Sequence, residues 1–299
     1  MKFAAVIVTY NRLEKLKNAL DAYDKQSRSV DKIIVVDNAS KEDTKEYLKN
    51  WQCKDTKSQK IVLTLESNLG GSGGFYYGMK KAMEVGFDYL FIADDDAYPE
   101  VDAFRKIEEA IDKFQVEALC TRVTEHKGIN LGHRRETYWK LYRHKERPYS
   151  ISNYDKDFFN IELFSFVGAV ISKKVIEKVG YPNKDYFIWY DDTEYAYRVK
   201  ENFKVICVPS INVYHDCDDY KVSGISWKNY YGFRNRLDTI RKHYGRYELF
   251  VNIAAIRIKL IKWYFTNKVM YKLYKTVLYD YKHKRFGISP IYKPGIKLK

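Results

Sequence analysis

Apolar and polar positions fall in blocks along the first hundred residues. FAAVIVTY (3–10), KIIVVD (32–37), KIVLTLE (60–66) and FDYLFIA (87–93) are short, nearly continuous apolar runs of strand length, rich in β-branched and aromatic side chains. Between them the apolar residues recur every three or four positions. LEKLKNALDAYDKQ (13–26) sets Leu13, Leu16, Leu20 and Tyr23 at helical spacing, KEDTKEYLKNW (41–51) opens after the capping candidate Ser40, and a third helix is expected from Tyr76 to Val85. Strand and helix alternating in this way predict right-handed crossovers and an α/β fold, a mostly parallel central sheet flanked by helices.

The rest of the chain is less periodic. Residues 120–160, rich in Arg, His and Tyr, read as an irregular insertion on the acceptor side. FSFVGAVISKKVIEKVG (164–180) resumes with a strand and a helix, YFIWYDDTEYAYRVKEN (186–202) reads as a loop feeding a helix, and KVICVPSINVYH (204–215) as a further strand. From Trp227 the sequence turns helical, basic and full of tyrosine, so a catalytic or binding body over 1–225 and a C-terminal helical region over 226–299 are expected.

In a parallel sheet, ligands bind where loops leave the carboxyl ends of the strands. Thr9 to Arg12, Asp37 to Ser40, Asn68 to Gly74 and Asp94 to Asp96 all follow strands, so they are expected on one rim, as in a nucleotide site. Asp94, Asp95 and Asp96 pose an electrostatic question: each carboxylate contact near 4 Å costs about 4 kcal/mol at an effective dielectric of about 20. Either the trio is a solvated turn or a cation compensates it. Asp94 and Asp96 alternate along the strand end and suit a hard divalent ion completed by phosphates and water, which leaves Asp95 toward a nucleotide sugar. His215 is either a satisfied strand-end histidine or a further ligand of that ion.

NLGGSGGFYYGM (68–79) carries four glycines in five positions between a strand and a helix. A flexible loop is one reading; close approach of backbone to an anionic ligand near a helix start is the other. Without Gly-Lys-Ser/Thr it specifies neither ATP nor NAD. In IWYDDTEYAYR, Glu194 and Arg198 are four apart and should pair on a helix, while a carboxylate at the helix start beside tryptophan and tyrosine is a candidate general base.

Charge changes the picture of the C-terminal region. From Arg241 onward fifteen Lys or Arg face only Glu248 and Asp280, so almost all of the net charge of +14 lies there. IAAIRIKLIKWYFTNKVMYKLYKTVLYDYKHKRF interleaves apolar and basic residues, which fits a helix lying on an anionic membrane surface; a helical cap on the body or a contact in a homo-oligomer are the alternatives. No nucleic-acid motif accompanies it, and nucleic acid is not expected as partner. Four scattered cysteines argue against a zinc site or disulfide framework. With no signal-peptide pattern at the start and no apolar stretch of membrane-spanning length, a cytoplasmic chain, peripheral at the inner face of the membrane, is expected.

The order TYNR, VVDNAS, NLGGSGG, DDDA, WYDDTE and a late histidine resembles family 2 inverting glycosyltransferases of the GT-A (Rossmann-like) fold, over roughly Lys2 to Arg236. It is most similar to bacterial galactofuranosyltransferases, with rhamnosyltransferases next. The resemblance implies that Thr9, Asn11 and Arg12 line a nucleotide pocket, Asp37 meets the pyrimidine base, and Asn68 and Gly74 border the donor. It implies Asp94 and Asp96 as ligands of Mn²⁺ or Mg²⁺ with His215, and Asp192 as the base, with Trp189, Asp191 and Glu194 on the acceptor side. The implied reaction is an in-line displacement from a nucleotide sugar, such as UDP-galactofuranose, onto a lipid-linked glycan acceptor in cell-surface polysaccharide synthesis. A rhamnosyl or other hexosyl donor is the alternative, and a noncatalytic nucleotide-sugar or nucleic-acid binding protein the reading from a different class.

Overall fold

The computed structural model describes residues 1–217 and 225–298. The fold begins β1 (Phe3–Thr9), α1 (Leu13–Asp24), β2 (Lys32–Asp37), α2 (Glu42–Gln52), β3 (Gln59–Thr64), α3 (Gly70–Val85), β4 (Tyr89–Asp94), in the order expected. It continues with β5 (Ala97–Pro99), α4 (Ala103–Phe114), β6 (Ala118–Glu125), β7 (Gly128–Ile129), β8 (Arg134–Lys140), β9 (Arg143–Pro148), β10 (Phe159–Asn160), β11 (Leu163–Phe164) and β12 (Ala169–Ser172). The last elements are α5 (Lys173–Val179), α6 (Asp191–Lys200), β13 (Val205–His215), α7 (Trp227–His243), α8 (Gly245–Thr266) and α9 (Lys268–Lys282).

The central sheet runs β10-β13-β6-β12-β4-β1-β2-β3. β1 through β4 pair in parallel, β12 enters antiparallel between β4 and β6, and β13 returns parallel to β6. Every residue of β1 is buried, and its period of two divides it between two cores. Ala4, Val6 and Val8 pack with Phe75 and Met79 of α3, whereas Phe3, Ala5 and Ile7 pack with Leu16 and Leu20 of α1 and Phe104 of α4. A third cluster joins Tyr230, Tyr231 and Leu237 of α7 to Leu273 and Val277 of α9, and it takes in Phe187 from the segment before α6.

Three expectations are corrected here. Residues 120–160 are not irregular: Ala118–Glu125 is a strand of the central sheet, and β8 and β9 form a hairpin that pairs with β11. Its Arg and His are legible as strand residues only once their partners are known, because burial of Arg134 is met by carbonyls of Thr121 and Val167 rather than by an apolar pattern. The glycine run is likewise not a loop, since α3 starts at Gly70, six residues before Tyr76. A Cβ on Gly74 would meet Val8 at 2.4 Å and one on Gly78 would meet Val6 at 2.5 Å, so these glycines let the helix lie against the sheet. Ser40 does not cap α2 with its side chain; its hydroxyl accepts from the backbone N–H of Asn11.

Candidate active site at the carboxyl ends of the strands

Register sets the rim. Val8 pairs with Asp94 and Thr9 with Asp37, so the ends of β4, β1 and β2 stand side by side. The short pairing of β5 with the end of β13 aligns His215 with Ala97, which brings the imidazole to the aspartate trio. Of the four loops expected on one rim, those after Thr9, Asp37 and Asp94 are set side by side by strand order, and β13 adds His215.

Protein cations compensate the trio. The Arg12 guanidinium donates to Asp96 and lies 3.2 Å from Asp95 Oδ1, while Thr9 Oγ1 donates to Asp95 Oδ2 at 2.7 Å. His215 Nε2 is 3.4 Å from Asp96 Oδ1, and its Nδ1 is 3.0 Å from Glu125 Oε1. Burial pushes Asp95 up to about 7 and Asp94 up to about 6, with the repulsion of Asp96 adding and Arg12 opposing in both. Burial acts on Asp96 too, but the hydrogen bond from His215 and the charge of Arg12 outweigh it and hold its carboxyl below the ordinary value. His215 rises to about 9, because Asp96 and Glu125 outweigh the burial that alone would lower it.

A divalent ion fits this set. Asp94, Asp96 and His215 offer ligand atoms within 4.8 Å of one another, and Asp96 Oδ1 is buried facing the His215 ring. The two carboxylates suit a hard divalent ion such as Mn²⁺ or Mg²⁺. Glu125, which sequence reasoning did not single out, also accepts from Asn130 Nδ2 at 2.7 Å and so fixes the ring of His215 with Nε2 toward Asp96.

The remaining nucleotide-side candidates separate. Asp37 is fully buried; Oδ1 accepts from the Ser40 N–H at 2.9 Å while Oδ2 has no partner, as an acceptor awaiting a ligand donor would. Asn11, in the left-handed region at φ 54°, accepts from the Lys41 N–H at 2.8 Å. Asn68 accepts from the Gly70 N–H at 2.8 Å, a local turn, and Gly74 faces Val8 from within α3. Asn38, unremarked in VVDNAS, braces the α3 start by donating to Gly70 O and accepting from the Leu69 N–H.

The second group of carboxylates is held by a different device. Phe187, at φ 69° and ψ −62°, is the centre of a γ-turn closed by the Ile188 N–H donating to Tyr186 O at 2.9 Å. Trp189 and Tyr190 follow at φ 63° and 70°, so three bulky residues are in left-handed backbone just before Asp191. α7 holds them there. Asn235, fully buried, donates to the carbonyls of Tyr186, Ile188 and Trp189 at 2.9, 3.1 and 2.8 Å, and Arg234 donates to that of Tyr186 at 3.2 Å. A Cβ on Gly232 would meet the Trp189 ring at 2.7 Å, and one on Gly70 would meet Phe187 O at 1.9 Å. YYGFRNRL thus contains side chains that shape the site, and nothing in the mixed polar and aromatic pattern of α7 signals that role.

α6 starts at Asp191. Burial raises the Asp191 carboxyl well above its ordinary value, and the charges of Asp192 and Asp94 add to it, so the two carboxylate groups lie near enough to feel each other's charge. Asp192, half-buried in the first helical turn, accepts from Thr193 Oγ1 at 3.0 Å; Thr193 in turn accepts from Arg135 at 2.8 Å. Glu194 is instead occupied. Arg198 donates to both its oxygens, the pairing that their spacing predicted, and Lys242 and His243 of α7 also stand within 4 Å. Trp189 is 42 % exposed beside α7.

A parallel strand quartet, one reversed strand and an acidic rim constitute the architecture of GT-A glycosyltransferases. Among solved structures the chain is similar to GalNAc-T7 with UDP, GalNAc and Mn²⁺ (TM-score 0.63, 17 % identity, 81 % of this chain and 48 % of that one). It is also similar to Staphylococcus aureus TarS 1–349 in complex with UDP-GlcNAc (TM-score 0.59, 15 % identity, 94 % and 80 %). The glycosyl transferase family 2 profile matches residues 4–180, and the chain belongs to that family. Relatives include galactofuranosyltransferase GlfT1 of Mycolicibacterium smegmatis, 28 % identical over 64 % of this chain and 62 % of the relative. The dTDP-rhamnosyl transferase RfbF of Shigella flexneri is 24 % identical over 86 % and 85 %. The chain spans less than two thirds of the length of the mycobacterial relatives it matches.

Proposed function

We propose that the protein transfers a sugar, with inversion, from a nucleoside diphosphate donor to a hydroxyl of a lipid-linked glycan, with UDP-galactofuranose as the first donor to test. One observation carries this reading: Asp94, Asp95 and Asp96 are brought by strand register beside Arg12 and His215, within reach of the charge of the α6 carboxylates. Relatives named for galactofuranosyl and rhamnosyl transfer support it. Asp94, Asp96 and His215 would hold Mn²⁺ or Mg²⁺, which when bound supplies positive charge against the diphosphate. Asp37 Oδ2 takes a hydrogen bond from the base, and Asp95, tied to Thr9, faces the sugar. Asp192 takes the proton of the acceptor hydroxyl as it attacks the anomeric carbon, and the bond to the diphosphate breaks on the opposite face. Arg12 lies where negative charge gathers.

We place the acceptor at the cytoplasmic face of a membrane, reached through the basic C-terminal helices. No described helix is long and apolar enough to cross a membrane, so the contact would be peripheral. The rhamnosyl donor is the second reading, favoured by the greater share of chain shared with the rhamnosyl relative. Thermal unfolding and turnover with a panel of nucleotide sugars and Mn²⁺ decide between them, since a bound donor stabilises the native form by mass action. The galactofuranosyl donor should protect and be consumed, and chelation should end both. Turnover with a dTDP-rhamnose donor alone selects the second reading; binding without turnover of any donor onto lipid-linked acceptors returns the chain to a noncatalytic class.

A further inference from the structure

The β8–β9 hairpin turns through Leu141 and Tyr142, both left-handed at φ 50° and 59°. A two-residue turn of this kind is ordinarily made by Asn-Gly, because only small or locally hydrogen-bonding residues take that backbone without strain. Here it carries two large apolar side chains that are 69 % and 67 % exposed, flanked by Lys140 and Arg143. Backbone strain and bare apolar surface both count against the fold, so neither is explained by folding.

The tip end of the hairpin packs on α8. His144 donates its backbone N–H to Glu248 at 2.7 Å, its ring meets the same carboxylate, and it stacks on Tyr244 at 3.8 Å. α8 has an apolar side covered by α7 and α9 through Leu249, Ile253 and Ile256. On its other side Phe250, Ile258, Ile261 and Phe265 are spaced by eight, three and four residues on one stripe, all exposed, with Arg257 and Lys262 alongside. Cations crowd the junction: burial first, then the charges of Arg236, Arg143 and Lys259, hold Lys145 below its ordinary value.

We propose that the hairpin tip, Leu141 and Tyr142, inserts into an anionic lipid bilayer beside the exposed stripe of α8, giving the chain two separate membrane contacts. The occupant follows from charge: apolar side chains ringed by Lys and Arg match acyl chains beneath anionic headgroups. This rests on the membrane reading of the proposed function, and two contacts hold the orientation of the body that one helix would leave free to roll. A lipid-borne acceptor hydroxyl would then arrive from a fixed direction.

The test uses the full chain and sedimentation with vesicles of phosphatidylcholine containing phosphatidylglycerol, against phosphatidylcholine alone. Leu141→Asn/Tyr142→Gly installs the favoured turn, so the variant should melt no lower than the parent while its partition into anionic vesicles drops about tenfold. Ile258→Ser/Ile261→Ser should lower partition separately. Unchanged partition of the turn variant, with loss in the α8 variant, overturns the hairpin contact and leaves the membrane reading standing. A parent chain that ignores anionic vesicles overturns both. A lipid-free dimer that the turn variant dissociates makes a second copy of the chain the occupant and overturns the lipid assignment.

Discussion

The two carboxylate groups of the site are built in opposite ways. Asp94, Asp95 and Asp96 end a regular strand, their positions follow from sheet register, and their mutual repulsion is met by Arg12 and His215. Asp191 and Asp192 begin a helix behind three positive-φ residues, Phe187, Trp189 and Tyr190, and that backbone is propped by Asn235 and Arg234 from a helix more than forty residues later. The contrast teaches that one half of the site is local to the sheet, whereas the other depends on packing of the C-terminal helices. Chemistry on the second half should therefore be sensitive to changes that never touch substrate.

The largest expected effect tests whether the propped half carries the reaction. Asp192→Asn keeps size and the hydrogen bond with Thr193 but removes the base, so kcat should fall by about 10²–10⁴ while nucleotide affinity by calorimetry stays within about twofold. Equal turnover in the variant would remove Asp192 from the reaction and leave the strained backbone without a catalytic purpose.

Next come two changes at the prop. Gly70→Ala puts a methyl group 1.9 Å from Phe187 O at a φ of +72°, and should cost more than about 3 kcal/mol in denaturant unfolding. Asn235→Ala leaves the carbonyls of Tyr186, Ile188 and Trp189 without a donor in a fully buried place, a loss of about 2–3 kcal/mol. In the variant that folds, kcat should fall with KM for the donor nearly unchanged, because the rim that faces the donor is not propped by α7. A fall confined to donor KM would erase the distinction between the two halves.

That distinction also separates what was legible in the sequence. β1, β2, β3 and β4 are apolar on both faces, so period and length alone identify them, and the parallel-sheet rule then places Thr9, Asp37 and Asp94 together. The glycine run misled because glycine is equally the residue of loops and of close helix–sheet packing; the difference lies in Val6 and Val8, which only the fold brings opposite. β6 and the hairpin were hidden because their polar residues are satisfied by distant partners, as Arg134 is by Thr121. Asn235 could not be read at all, since its role consists of three carbonyls nearly fifty residues away.

The smallest effect concerns the network that joins α6 to α7. Burial alone would raise Glu194, but the His243 hydrogen bond and the charges of Arg198 and Lys242 outweigh it and hold the carboxyl below its ordinary value. A folded value beneath the unfolded one, about 4.3 for glutamate, contributes stability that is fully present above that pH and is lost as pH falls through the lowered value. Glu194→Gln should therefore be less stable than the parent by about 1–2 kcal/mol at pH 7, with the gap closing below pH of about 4. Urea unfolding across that range measures it. A gap that persists undiminished at low pH would mean that Glu194 holds α6 to α7 by shape and not by charge.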